Sequence, residues 1–246
     1  MGRVLRVFDQ VDSTQNIAHE LVKAGAAEGT LVVAEQQTAG RGRRGRNWFS
    51  PKGKGVWMSL ILRPNISLQF TPQLTLLAAV ALCRTLQAFV PHKVGIKWPN
   101  DLLIQGRKVS GILLESSAED ERLNYVIAGI GISVNLTEED YSDELKVKAT
   151  SLFMESGKLI ERELLICQFL AQFEQLYDLY IQQGFAPIRT LWETLTISLH
   201  QPIRVQTTQG WVEGIAHSID EMGALVVTKA DGQVAKLYSG DLELLF

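Results

Sequence analysis

A short basic segment stands out because its residue types suit the binding of an anion. Residues 40–55 read GRGRRGRNWFSPKGKG and carry four arginines and two lysines without an acidic residue. The five glycines disfavour both helix and strand, because glycine loses the most backbone freedom on folding. Guanidinium groups bind phosphate through paired hydrogen bonds and stay charged at any working pH. We therefore predict a mobile loop, called here the basic loop, that closes over a bound polyanion.

The glycines of this loop formally match the G-x-G-x-x-G pattern of dinucleotide-binding proteins, but their surroundings do not. That pattern requires a strand directly before its first glycine and a helix directly after its last. Here QQTA precedes Gly40, and RNWFSPKGKG, which contains Pro51, follows Gly45. The arginines between the glycines would also crowd the close approach of a pyrophosphate. The sequence therefore disfavours a dinucleotide fold, and it contains no P-loop pattern.

A solvated charged loop without a ligand is the alternative interpretation of residues 40–55. Trp48 and Phe49 argue against it, because adjacent aromatic residues in a loop usually pack on something. The chain has a net charge of −3, whereas a dedicated nucleic-acid binder usually shows a basic domain. Basic charge confined to one loop favours a small anionic ligand.

The segment KWPND, residues 97–101, is a second cluster with candidate binding residues. Pro99 is expected to hold Trp98 in an extended conformation, so that Asn100 and Asp101 appear at the end of a strand. The same two residues could instead form an Asx-turn with no binding role.

Lys108 and two glycines mark the strands that follow. Lys108 precedes the apolar segment VSGILLE. A lysine entering an apolar strand is costly unless it is paired, so Lys108 either lies at the surface or faces a ligand. Gly129 and Gly131 fall inside the strand segment GIGISVN, which favours close approach of a ligand or another backbone. Structural bulges would give the same pattern.

Strands outnumber helices over most of the chain, and the helices fall between groups of strands. Strands are predicted at residues 4–11, 29–35, 56–63, 94–98 and 124–135, with a hairpin turning at Gln105 and Gly106. Helices are predicted at residues 13–25, 71–89 and 161–183, and residues 137–148 as a loop or short helix. The last long helix should bury an apolar stripe made of Leu164, Leu165, Phe169, Phe173, Leu176 and Tyr180. We therefore predict an α+β fold with a mixed β-sheet that carries helices on one side.

The sequence changes character after residue 195. Apolar and polar residues alternate there, with breaks at Gly210, Gly223 and Asp231. Four or five short strands in about fifty residues predict a small SH3-like β-barrel. We place a catalytic domain at residues 1–190 and this barrel at residues 191–246.

Composition indicates an ordinary globular chain of 246 residues, 46% hydrophobic and 21% charged. No apolar run approaches the length of a membrane span, and the first ten residues do not resemble a secretory signal. Cys83 and Cys167 are both expected to be buried, reduced thiols. We expect a cytoplasmic protein.

The order of the motifs resembles a known family. DSTQ, EQQTAGRGRRGRNWFSP, KWPNDLLI, GRKVSGILLE and GIGISVN follow one another as in biotin–protein ligases, and the resemblance extends over essentially the whole chain. It is most specific at GRGRRGRNW and KWPND and weaker near the C-terminus. Enzymes of this family join biotin to ATP as biotinyl-5′-AMP and then transfer the biotinyl group to a carrier-protein lysine.

The resemblance implies roles for residues in matching motifs. The expected biotin-binding residues are Ser13, Thr14, Gln15, Gln37, Arg41, Gly42, Arg43 and Lys108. The expected nucleotide-binding residues are Arg43, Arg46, Trp48, Lys97, Asn100, Asp101, Ser133 and Asn135. Lys108 and Arg43 are the expected catalytic residues, and Asp101 is the expected Mg²⁺ ligand. Two positions depart from the family pattern, because Gln15 and Ser133 stand where asparagine is usual.

The same resemblance implies ligands and partners. ATP, Mg²⁺ and biotin are expected as substrates and ion, without a tightly bound prosthetic group, and the biotin carboxyl carrier protein of acetyl-CoA carboxylase as acceptor. We expect no nucleic-acid or membrane partner, and a homodimer is an open alternative to a monomer. The motifs begin within fifteen residues of Met1, so a form without the N-terminal DNA-binding domain is expected. Two alternatives stay open, a lipoate–protein ligase and a nucleic-acid-binding protein that uses the basic loop.

Overall fold

The computed structural model describes residues 1–91 and 93–245, which form two β-sheets with helices between and around them. The first sheet has seven strands in the order β1-β2-β3-β7-β6-β5-β4. Its strands are β1 (Val4–Val11), β2 (Thr30–Gln37), β3 (Gly55–Leu62), β4 (Val94–Lys97), β5 (Asp101–Ile104), β6 (Arg107–Glu119) and β7 (Arg122–Ser133). β1 and β2 are parallel and the other pairs are antiparallel, so the predicted mixed sheet is confirmed.

The helices are α1 (Thr14–Lys23), α2 (Thr71–Gln87), α3 (Asp143–Lys146), α4 (Leu152–Ser156), α5 (Arg162–Gln183) and α6 (Ala186–Leu195). α1 begins where predicted, because the Ser13 side chain caps it by accepting a hydrogen bond from the backbone N–H of Gln15. The three helices predicted from periodicity are present, and α3 is the short helix expected within residues 137–148.

The helices cover both faces of the first sheet, so the prediction of helices on one side is wrong. Strand residues of one parity, such as Leu60 and Ile130, pack in the large core with α2, α5 and α6. Residues of the other parity, such as Ile61 and Ile127, pack against Ala18 of α1. Successive strand side chains point to opposite faces, and an almost wholly apolar β3 can therefore be covered on both.

β3 lies inside the sheet, between β2 and β7. All eight of its residues are buried. Because β3 is paired on both sides, it has no free edge with which a second chain could pair.

α5 buries a narrower stripe than predicted. Leu165, Phe169 and Phe173 are fully buried, whereas Leu164 is 46% exposed. Cys167 also faces outward, so the prediction that both cysteines are buried is right for Cys83 and wrong for Cys167. Burial raises the pKa of the Cys83 thiol to about 12, so this thiol stays protonated at neutral pH.

The second sheet is antiparallel and has five strands in the order β11-β10-β9-β8-β12. They are β8 (Pro202–Thr207), β9 (Gly210–Ile219), β10 (Leu225–Thr228), β11 (Val234–Leu237) and β12 (Asp241–Leu244). The strand number agrees with the prediction, and the edge strands β11 and β12 are not hydrogen-bonded to each other within the described part of the chain. The division after residue 190 falls within α6 and stays a prediction.

The two sheets are packed together at the edge of the first one. The backbone N–H of Trp98, a buried residue after β4, donates to Ser198 Oγ at 2.9 Å. The peptide bond between Trp98 and Pro99 is cis. The N–H of Ile197 donates to the Ile96 carbonyl at 2.9 Å, which extends the sheet edge by a short parallel bridge. None of the helices in the described ranges is long and apolar enough to cross a membrane.

Burial along α5 predicts which side chains of this helix hold the fold together. Phe173→Ala should lower the free energy of unfolding by roughly 3–5 kcal/mol, because it removes a fully buried aromatic ring and leaves a cavity. Leu164→Ala, on the exposed side of the same helix, should change it by less than about 0.5 kcal/mol. Urea denaturation followed by circular dichroism measures both. Equal midpoints for the two variants would contradict this packing.

Candidate functional site

A cavity of about 600 Å³ lies on the α1 face of the first sheet, beneath the basic loop. Its walls include the start of α1, β6, β7 and the first residue of β12. Thirteen of the residues singled out from the sequence line it, namely Ser13, Thr14, Gln15, Gln37, Arg41, Gly42, Arg43, Arg46, Trp48, Asn100, Asp101, Lys108 and Ser133. Residues that are far apart in the chain therefore meet in one place.

One end of the cavity is a hydrogen-bonded group of uncharged side chains. Gln37 Oε1 accepts from the Thr14 backbone N–H at 2.9 Å and from the Thr14 hydroxyl at 3.1 Å. Gln37 Nε2 donates to Ser50 Oγ at 2.8 Å. Ser59 Oγ lies 2.9 Å from Thr14 Oγ1 and 2.8 Å from Gln15 Oε1. This end can exchange hydrogen bonds with a polar, neutral group of a ligand.

The strand glycines make room for side chains of the cavity wall. A Cβ atom on Gly129 would lie 2.8 Å from the Gln15 amide carbon, and one on Gly131 would lie 2.3 Å from Trp48 Nε1. Real Cβ atoms do not come this close, so a larger residue at either position would displace the facing side chain. The sequence predicts close approach by a ligand or another backbone, whereas the groups that approach these glycines in the structure are the side chains of Gln15 and Trp48.

Lys108 has one charged and one aromatic neighbour in the cavity. Its Nζ lies 2.7 Å from Asp101 Oδ1 and 5.1 Å from the centre of the Trp48 ring. A cation over an aromatic face is attracted by the ring's electrons. The backbone of Lys108 is held on the other side, where its N–H donates to the Lys148 carbonyl at 2.8 Å. The cost of placing lysine in an apolar strand is therefore offset by defined partners.

Carboxylates from distant parts of the chain neutralise the cations of the basic loop. Arg41 pairs with Glu115 of β6, and both Arg44 and Arg46 pair with Asp241 of β12. The two loop lysines pair with carboxylates as well, Lys52 with Asp9 at 2.6 Å and Lys54 with Asp140 at 3.1 Å. The loop is thus joined to both sheets.

Arg43 differs from the other loop cations. Its Nη1 donates to Asn100 Oδ1 at 2.8 Å and to the Gly240 carbonyl at 3.2 Å, and no carboxylate of the described residues forms an ion pair with it. Burial lowers the pKa of the Arg43 guanidinium, an effect that Asp241 and Asp101 partly oppose from a distance. Arginine nevertheless stays protonated in proteins. A largely buried cation bound only to neutral oxygens is well placed to receive an anion.

Two of the predicted residues do not line this cavity. Lys97 is paired with Asp101 across β4 and β5, but it stands one strand further out and lines a separate depression beside Ile197. The Asn135 amide is used by the backbone of Ile160, to which it donates at 2.9 Å and from which it accepts at 3.0 Å. Asn135 therefore holds two segments of the chain together.

Several cavity residues were not found from the sequence. They are Asp241, Tyr141, Leu145, Lys148 and Ala149. Tyr141 donates to the Thr150 carbonyl at 2.9 Å, and burial raises the pKa of its hydroxyl to about 12. Asp241 lies nearly 200 residues from its arginine partners in sequence. No local pattern marks these residues, because tertiary packing brings them to the cavity, Asp241 from the second sheet and the other four from the segment around α3.

A metal ion would find few protein ligands in this cavity. The described residues contain no group of three His, Cys, Asp or Glu side chains arranged to hold a metal. Asp101 is the cavity carboxylate beside Lys108, and Asp241 is occupied by two arginines. Mg²⁺ commonly binds one or two carboxylates together with substrate phosphates, so Asp101 fits Mg²⁺ that arrives bound to a nucleotide.

Comparison with known proteins identifies the family. Residues 7–133 match the model of the biotin/lipoate A/B protein ligase family, and residues 199–245 match the biotin protein ligase C-terminal domain. A bifunctional ligase/repressor BirA of Bacillus spizizenii is 50% identical over 244 residues, which cover 99% of this chain and 75% of that protein. The chain belongs to the biotin/lipoate A/B protein ligase family.

Two further proteins of this family are similar to this chain over more than nine-tenths of its length. A biotin–[acetyl-CoA-carboxylase] ligase of Paracoccus denitrificans is 37% identical, with 91% of this chain and 94% of that protein covered. The biotin protein ligase of Aquifex aeolicus, solved in complex with biotin and ATP, is 29% identical. It superposes with a TM-score of 0.83 over 99% of both chains. The α+β fold with its second, C-terminal sheet is therefore that of a biotin protein ligase.

The ion pairs of Asp241 predict that the second sheet restrains the basic loop. In Asp241→Ala, tryptic cleavage within residues 40–55 should become about three to ten times faster, because Arg44 and Arg46 lose a charged partner. Glu243→Ala is the matched control, since Glu243 lies on the same strand and pairs with Arg204 of the neighbouring strand. Equal cleavage rates in the two variants would show that Asp241 does not hold the loop.

Proposed function

We propose that this chain is a biotin–protein ligase that activates biotin with ATP and transfers the biotinyl group to a lysine of a carrier protein. The observation that carries the proposal is a single cavity with an uncharged hydrogen-bonding end and a cationic end built around Arg43 and Lys108. A neutral ureido ring suits the first end. A carboxylate meeting a triphosphate suits the second, because it brings several negative charges together.

In the first step, a carboxylate oxygen of biotin attacks the α-phosphorus of ATP. The new P–O bond forms as the bond to pyrophosphate breaks, which gives biotinyl-5′-AMP and pyrophosphate. Lys108 and Arg43 stabilise the charge that gathers on the α-phosphate oxygens, because both are fixed by protein contacts before the ligand arrives. Arg46 contacts the outer phosphates from the basic loop.

In the second step, the acceptor lysine amine attacks the acyl carbon of biotinyl-5′-AMP. The C–N bond forms, the acyl C–O bond breaks, and AMP leaves with the electron pair. Asp101, paired with Lys108 at the wall, is our candidate to take the proton from the amine. The acceptor is the biotin carboxyl carrier protein of acetyl-CoA carboxylase, as in the relative from Paracoccus denitrificans, whose name includes that carboxylase.

The uncharged end of the cavity binds the ureido ring of biotin. Ser13, Thr14, Gln15 and Gln37 supply or support the hydrogen bonds, and backbone atoms of Arg41 and Gly42 close that end from the loop. Trp48 lines the adenosine side with Ser133, and its buried indole N–H has no partner in the described ranges. We leave Lys97 and Asn135 out of the assignment, because neither lines the cavity.

Mg²⁺ bound to the triphosphate would meet the carboxylate of Asp101 and would reduce the charge repulsion between phosphates and biotin. We further propose that the protein acts in the cytoplasm, without a nucleic-acid or membrane partner. A homodimer stays a prediction.

A transfer assay tests the proposed function. With ATP, labelled biotin and an apo biotin-carrier domain, the chain should place label on the carrier. Lys108→Ala and Arg43→Ala should each lower kcat by about 10²- to 10³-fold, because each removes a fixed charge from the transition state. Lys158→Ala, an exposed lysine that does not line the cavity, should stay within about twofold of wild type. Wild-type rates in the first two variants would contradict the assignment.

The same assay separates the two alternatives. Label from lipoate instead of biotin would indicate a lipoate–protein ligase. Absence of transfer together with steeply salt-dependent binding of nucleic acid would indicate a nucleic-acid-binding protein. The ion pairs that Arg41, Arg44 and Arg46 already form argue against the latter, since these cations are not a free basic surface.

Ligands should protect the basic loop from proteases. Biotin and ATP together should slow tryptic cleavage within residues 40–55 sharply, because a bound acyl-adenylate adds anionic partners for Arg43 and Arg46 and fixes the loop over the cavity. A loop closed over the cavity also shields the mixed anhydride bond of biotinyl-5′-AMP from water. Digestion with and without ligands, followed by mass spectrometry of the fragments, measures the effect. Equal cleavage under both conditions would refute closure over the ligand.

A further inference from the structure

Glu115 of β6 connects three elements immediately behind the uncharged end of the cavity. Its Oε2 lies 3.0 Å from Gln15 Nε2 and 3.1 Å from His19 Nε2, and its Oε1 pairs with Arg41. The side chain is about one-fifth exposed and does not itself line the cavity. Glu115 therefore acts on a ligand only through its neighbours.

An ionised carboxylate accepts hydrogen bonds and donates none. It therefore fixes the orientation of the Gln15 amide, whose NH₂ group donates to Glu115 and, at 3.4 Å, to the Leu113 carbonyl. The Gln15 oxygen must then point to Ser59 Oγ, 2.8 Å away. The amide cannot reverse without placing its oxygen against the carboxylate.

The fixed amide decides where the proton of Ser59 goes. Ser59 Oγ lies within hydrogen-bonding distance of both Gln15 Oε1 and Thr14 Oγ1, but it carries one proton. Because the Gln15 oxygen only accepts, that proton is directed to Gln15. Thr14 in turn can give its own proton to Ser59 Oγ, at 2.9 Å, or to Gln37 Oε1, at 3.1 Å. The lone pairs of the Thr14 hydroxyl are then left for a ligand.

We propose that Glu115 is a positioning residue that orders the hydrogen-bond chain Gln15–Ser59–Thr14, so that Thr14 presents an acceptor to the N–H groups of the substrate. This inference rests on the proposed function, since it requires a substrate with N–H donors such as the ureido ring of biotin. Arg41 balances the charge of Glu115 and keeps it in place. Arg41 is itself held by Asn16 Oδ1 at 2.9 Å.

Glutamine, which is longer than the usual asparagine, suits this role at position 15. Its amide reaches across the sheet to β6, over the bare backbone of Gly129. The Gln15 side chain is buried, and its NH₂ group is used by protein acceptors. Gln15 thus transmits the position of a charge outside the cavity to a hydroxyl inside it.

Glu115→Gln is the decisive variant, because it keeps the shape of the side chain and adds a donor. The Gln15 amide can then reverse and the Ser59 proton can turn to Thr14, so that one of the two lone pairs of the Thr14 oxygen is no longer available to the ligand. We expect the Kd of biotin, measured by calorimetry without ATP, and the KM for biotin to rise about tenfold. The kcat at saturating biotin and the KM for ATP should stay within about threefold of wild type.

Two further variants separate this role from a structural one. His19→Leu removes the partner of Glu115 that lies outside the chain Gln15–Ser59–Thr14, and it should bind biotin within about twofold of wild type. Thr14→Val removes the acceptor itself. Adding Glu115→Gln to Thr14→Val should weaken biotin binding no further, because the two residues act in series.

The outcomes distinguish the inference from the function on which it rests. Wild-type biotin affinity in Glu115→Gln, a loss as large in His19→Leu, or additive losses in the double variant would each overturn the role of Glu115 while leaving the ligase intact. A wild-type chain that neither binds biotin nor labels the carrier would overturn both. Thermal unfolding of Glu115→Gln within a few degrees of wild type would confirm that the change is local.

Discussion

The neutralisation of positive charge in the basic loop is the constraint on which the site depends. Six cations within sixteen residues repel one another, and the loop has no acidic residue of its own. Glu115 comes from β6 and Asp241 from β12, so the loop closes only where both sheets are already in place. The hydrogen bond from the Trp98 backbone to Ser198 attaches the segment before the second sheet to the edge of the first one.

Arg43 is the arginine of the basic loop that remains to bind an anionic ligand in this arrangement. Carboxylates hold its neighbours, whereas Arg43 is bound by an asparagine oxygen and a backbone carbonyl. These neutral groups orient the guanidinium without cancelling its charge. A partly buried, oriented cation with no ion-pair partner among the described residues is a preorganised site for developing negative charge, which a reaction at phosphorus requires.

Three layers of residues make the cavity selective. Gly129 and Gly131 have no side chains, so the side chains of Gln15 and Trp48 pack directly against the strand backbone at the base of the cavity. Behind Gln15, a carboxylate outside the cavity sets the direction of the hydrogen bonds inside it. Polar recognition at one end and charge at the other are thus built by different parts of the fold, which lets each be altered separately by mutation.

The sequence by itself determined the elements, the family and most of the cavity residues, because periodicity, caps and motifs are local properties of the chain. Tertiary structure alone decided that α1 lies on the opposite face from α2, since strand parity does not say which face a given helix covers. The tertiary structure also places Lys97 on β4, one strand too far from the cavity to line it. It brings Asp241 to the basic loop from the other end of the chain. These outcomes depend on strand order and on the packing of two sheets, which couple residues far apart in sequence and leave no local pattern.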